Sequence, residues 1–165
     1  MKSTQEMAQA VCGWLEKKRE LFLQYEQATY AITAGTQEEI GGHMEKREEL
    51  QRQIQEADAQ ILAVTGGDQP DEGQQLLRKA AGGQAGYEEL APELQPVQTA
   101  AAEIRAVMYR IREMEPLVLE RLETERKDLL QKIKNVNQGS GAAASKYYQS
   151  SMNRKPPARP GFAKI

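Results

Sequence analysis

A length of 165 residues fits one domain, and 39% hydrophobic with only 5% aromatic content suits a thin helical bundle better than a thick two-layer core. The formal charge of -2 conceals an asymmetry: the last acidic residue is Asp128, and the seven basic residues from Lys132 to Lys164 stand unopposed behind an acidic body. A single cysteine excludes a disulfide framework, and no segment approaches the ~18 consecutive apolar residues of a membrane span.

Residues 1–10 lack the apolar core of a signal peptide, so the expected compartment is the reducing cytoplasm. Met7, Val11, Trp14, Leu21, Tyr25, Ala28 and Ile32 step by three or four, the period of one helix face. Lys18 is the charged residue in an otherwise apolar heptad slot, while Leu15 and Phe22 widen the stripe, which favours a bundle over a two-stranded seam. Cys12 falls inside this pattern as a small core residue, and Gly13 marks a place for close helix approach. The first helix is expected to stop near Ala34-Gly35, with the glycine in a left-handed cap.

Thr36 with Glu39 three residues on has the spacing of a capping box, and a second helix follows with the stripe Ile40, Met44, Leu50, Ile54, Ala57, Ile61 and Val64. The short connection predicts an antiparallel hairpin. Arg47 falls on or beside the stripe. Either its aliphatic stem packs while the guanidinium reaches solvent, or it serves a partner. His43 is the only histidine and has no neighbour at metal-ligand spacing, which makes it a surface or half-buried side chain.

From Thr65 to Pro96 glycines and prolines break the pattern, leaving a loop-rich insertion in which Gln74 to Ala81 could form a brief helix. Val97, Ala101, Ile104, Met108, Ile111, Met114, Val118, Leu122, Leu129, Ile133 and Val136 then trace the longest helical stripe in the chain. Such a rod exposes more apolar surface than it can hide alone, so other helices must cover it. Pro116 lies in its middle, where it removes one backbone hydrogen bond; a kink is expected, with a break into two helices as the fallback.

The fold class is therefore all-α: an antiparallel helical hairpin plus a long C-terminal helix, kinked at Pro116 or not, in an elongated three- to four-helix bundle. Residues 1–138 form the bundle domain with its insertion at 65–96, and 139–165 a flexible, basic, proline-containing tail. A solvated tail is favoured over a nucleic-acid arm, because seven charges spread over so many residues make a dilute patch. Tyr147, Tyr148 and Met152 either close the end of the bundle or act as a flap or a ligand for another surface.

No second histidine, Cys/His pair, Ser-His-Asp set or phosphate loop in strand-helix context is present, so neither an enzyme nor a cofactor or metal site is expected. What remains is binding through helix faces, by a groove that accepts another amphipathic helix.

Three features resemble the flagellar export chaperones of the FliT type, with the related FlgN type second. One is the hairpin turn into Met44-Glu45-Lys46-Arg47-Glu48-Glu49-Leu50 and then Ile54; another is the long closing helix ending Leu130-Gln131-Lys132-Ile133-Lys134-Asn135-Val136-Asn137-Gln138-Gly139; the third is the alanine-rich stretch leading to Tyr147 and Tyr148. The resemblance covers about two thirds of the chain. Its glycine-rich insertion and basic, Pro-rich end depart from that family, and it lacks the asparagine-rich repeat expected of the FlgN type. The resemblance implies a small cytoplasmic helical chaperone of type III export. It would hold an unassembled subunit of the filament cap or hook-filament junction, prevent premature assembly, and deliver it to export-gate components. It places Arg47, Leu50 and Ile54 at the client-binding face, to which Met108 and Ile111 are added from the last helix, and Tyr147, Tyr148 and Met152 in a regulatory tail. No membrane span or nucleic acid is expected as partner, and a homodimer is left open. The alternative is a structural coiled-coil protein whose stripes are consumed in self-association.

Overall fold

A computed structural model describes residues 3–83 and 91–139, which hold four α-helices and no strand. The chain divides into two compact units, Met1–Arg121 and Leu122–Ile165. In the first, α1 (Thr4–Ala34) begins where the Ser3 hydroxyl accepts from the Glu6 amide at 3.1 Å, a side-chain N-cap that satisfies one orphan donor. It buries Ala8, Val11, Leu15, Leu21, Tyr25, Ala28 and Ile32. Lys18 is accommodated in the stripe by pairing with Asp58 at 2.6 Å while lying over the Phe22 ring.

The end of α1 differs from expectation. Gly35 has φ -82° and ψ 178°, extended rather than left-handed. Glycine is needed there for space instead, since a Cβ would lie 2.6 Å from the Ala31 carbonyl oxygen. The last turn of α1 contains no basic residue; Arg121 supplies one from elsewhere, donating to the carbonyls of Thr33 at 3.1 Å and Gly35 at 2.8 Å.

The capping box at Thr36 does not form. The Thr36 hydroxyl donates to the Glu39 carboxylate at 2.7 Å, and 37–39 make a 3₁₀ turn before α2 (Ile40–Val64). This hydrogen bond, first, holds the Glu39 carboxyl below the usual carboxylate range. At the other end, Gly66 (φ 96°) and Gly67 (φ 59°) take left-handed backbones, and the Gly67 amide reaches the Leu62 carbonyl at 2.9 Å, the six-to-one bond of a Schellman stop.

The insertion contains α3 (Glu72–Ala81), which has the capping box that Thr36 lacks: the Gln74 amide donates to Asp71 at 2.7 Å and the Asp71 amide to Gln74 at 2.9 Å. It buries Leu77 and Ala80. Long-range arginines close the ends of these helices too. Arg78 donates to the carbonyls of Thr65 at 2.9 Å and Gly67 at 2.7 Å, and Arg105 to that of Gly82 at 2.8 Å.

After a 3₁₀ turn at Pro92–Leu94, α4 (Gln95–Gly139) runs as one helix through Pro116, whose ring is on the exposed side. Proline has no amide to give the carbonyl one turn back, yet the helix continues. Arg19 meets Glu103 and Arg110 meets Glu26, the latter pair 84 positions apart, so α4 runs parallel to α1; Lys18–Asp58 and Tyr25–Arg47 make α2 antiparallel to it. The core has two clusters. One joins Val11, Leu15, Ile61, Leu77 and Val97, the other Leu21, Tyr25, Leu50, Ile54, Val107 and Ile111. Val107, not Met108, takes the inward place on α4, and Met108 is 38% exposed.

In the second unit, the described residues are the end of α4 from Leu122 to Gly139, and none of those from Leu122 to Gln138 is buried. Leu129, Leu130, Ile133 and Val136 stand 46–66% exposed. The polar residues around them pair along the helix, as in Arg126–Glu123 at 3.3 Å and Lys132–Asp128 at 3.1 Å. The expected tail, with Tyr147, Tyr148 and Met152, lies outside the described residues.

Candidate functional site

Arg47 is held by partners from two other helices. It projects from α2 with its side chain only 12% exposed, its guanidinium 4.7 Å above the Tyr25 ring. One terminal nitrogen donates to the Tyr25 hydroxyl and to the Glu115 carboxylate, each at 2.7 Å, tying α2 to α1 and α4. The guanidinium therefore does not reach solvent as expected; it is an internal brace, and its other terminal nitrogen is buried without a partner. A charge-assisted pair beneath a cation–π contact is stronger than either alone, and removing one member strands the others.

Of the other residues expected to bind a client, Leu50 (1% exposed), Ile54 and Ile111 belong to the core, and Leu50 could be reached only if the bundle opened. Met108 is the accessible one. Ile54, Met108 and Ile111 share the lining of a cavity of about 380 Å³ with Phe22, Tyr25 and the polar Arg112 and Glu115, whereas Leu50 is in the core cluster but not on that lining, and Arg47 holds the lining residue Glu115.

A second apolar surface lies on the end of α4, where Leu129, Ile133 and Val136 belong to the stripe that other helices were expected to cover. Leu129, Leu130, Ile133 and Val136 follow one another on the end of α4 with no buried residue among them. Contiguous exposed side chains of this size on a soluble helix mark interaction surfaces, where single ones do not.

Chemistry is sparse among the described residues. No group of three or more His, Cys, Asp or Glu could hold a metal ion. Burial, and then the nearby Glu16, push the Cys12 thiol up, away from the thiolate that nucleophilic chemistry requires. His43 is half-buried beside Glu39 at 3.8 Å. No described helix is long and apolar enough to cross a membrane. Comparisons with protein-family models, with curated proteins and with solved structures gave no match.

Proposed function

We propose that this protein is a flagellar export chaperone of the FliT type, acting in the cytoplasm, and that it holds an unassembled filament-cap or hook-filament junction subunit against the apolar end of α4. One observation carries the reading: Leu129, Leu130, Ile133 and Val136 form an exposed apolar face on a helix whose described end buries nothing. A subunit's terminal helices, apolar on the side they use in the polymer, are sticky when free. A face of leucine, isoleucine and valine covers them reversibly, by helix-to-helix packing. The resemblance of the Met44–Leu50 segment that follows the hairpin turn, and of the Leu130–Gly139 helix end, supplies the class of client. Delivery to export-gate components follows from that class.

Purification from the native host tests the reading: a filament-cap or junction subunit should accompany the full chain, and the double substitution Leu129→Gln/Ile133→Gln should release it. A subunit retained by that variant, or none at all, sinks the proposal. In this reading Tyr147, Tyr148 and Met152 compete for the same face, so truncation after Gly139 tightens subunit binding. The same exposed face favours a second reading, a structural coiled-coil protein without chaperone activity. Light scattering separates the two, since that reading requires a tight oligomer at micromolar concentration.

A further inference from the structure

Among the described residues, every arginine but Arg112 holds a carboxylate or a backbone carbonyl. Arg105 and Arg121 close helix ends, Arg110 holds Glu26 and Arg126 holds Glu123 along the same α4. The Arg112 side chain makes no ion pair or hydrogen bond among the described residues, and it lines the cavity of about 380 Å³ described above. The other charge on that lining, Glu115, is already held by Arg47 at 2.7 Å, and Gln51 and Gln55 are neutral. The remaining lining residues, Phe22, Tyr25, Ile54, Met108 and Ile111, are apolar or aromatic. An apolar notch thus carries one uncompensated positive charge at its lip.

We propose that this notch takes a bulky apolar side chain of a partner helix together with an acidic side chain beside it, the acid pairing with Arg112. The Arg47–Tyr25–Glu115 brace fixes the wall before the partner arrives, so little ordering remains to be done on binding. The rest of the body works against an acidic partner. The chain up to Asp128 carries all 24 acidic residues but only 15 of the 22 basic ones. Its long-range field repels an acidic helix, and a preference for acid must arise locally. The notch lies wholly within the Met1–Arg121 unit and stands whether or not the client is a flagellar subunit.

The probes are two synthetic helical peptides of about 18 residues, long enough to hold a helix, identical in a leucine and methionine face and differing only in bearing Glu or Lys beside it. They are titrated against the full chain at low salt by fluorescence anisotropy. The Glu peptide should bind about fivefold more tightly, the scale of one exposed ion pair. Arg112→Glu should reverse that order, and Met108→Asp should weaken both peptides. Both positions are exposed, and unchanged thermal unfolding of each variant confirms that the bundle is intact. Leu129→Gln/Ile133→Gln, which releases a client held on the apolar face, should leave the peptide preference standing, so the two proposals fail separately. Equal affinities, no binding, a preference for Lys, or an order that Arg112→Glu does not move would overturn the inference.

Discussion

The bundle within Met1–Arg121 and the end of α4 beyond it are built from the same kind of sequence, yet they treat their apolar residues in opposite ways. Leu50, Leu15 and Val97 are covered almost completely, while Leu129, Ile133 and Val136 are not. Helical periodicity is common to both. What separates them is company: α1, α2 and α3 bring partner side chains to the first part of α4, whereas none of the described residues from Leu122 to Gln138 is buried. Apolar patterning states what a helix could bury, and only packing decides what it does bury.

Truncating one side chain in each region gives the largest contrast. Leu50→Ala should cost about 2–5 kcal/mol through lost burial and the cavity left behind, whereas Ile133→Ala should stay within about 0.5 kcal/mol, both read from urea unfolding. Comparable losses at the two positions would mean that the end of α4 is as well packed as the bundle. Arg47→Ala should come next, at about 1–3 kcal/mol, because it strands the Tyr25 hydroxyl and Glu115 while removing the stem that packs over the ring. A cost near zero would show that the brace is replaced by water.

Arg121→Ala removes the donor that closes α1, and a loss of about 1 kcal/mol is expected, with faster amide exchange confined to the last turn of α1. Smallest in energy, and sharpest in contrast, is thiol reactivity. Cys12 should react with iodoacetamide more slowly than a free cysteine at mildly alkaline pH, because burial and Glu16 both disfavour its thiolate. A cysteine placed at Leu130 in a Cys12→Ala background should react at close to the free rate. Rapid labelling of Cys12 would show that the bundle opens around α1.

Local signals made the helices legible. The three- and four-residue spacing of Val11, Leu50 and Val97, the short connection at Gly35, and the glycines at 66 and 67 each depend on neighbours within a few positions, which a sequence displays directly. The capping residues were legible in kind but not in place: Asp71 and Gln74 formed the box that Thr36 and Glu39 did not, because a 3₁₀ turn redirects the Thr36 hydroxyl.

The sequence by itself determined an all-helical chain with an antiparallel first pair, since side-chain period and loop length are local properties. Tertiary structure decided the rest. It placed α4 parallel to α1, turned Val107 inward and Met108 outward, and drew Arg47 inside between Tyr25 and Glu115. It also sent Arg78, Arg105 and Arg121 to carbonyls at the ends of α2, α3 and α1. Those choices depend on groups 11 to 88 positions apart, and their pairing energy exists only once the chain has brought them together. The accessible site followed from the same step, because a residue is available to a partner only if no other helix has claimed it first.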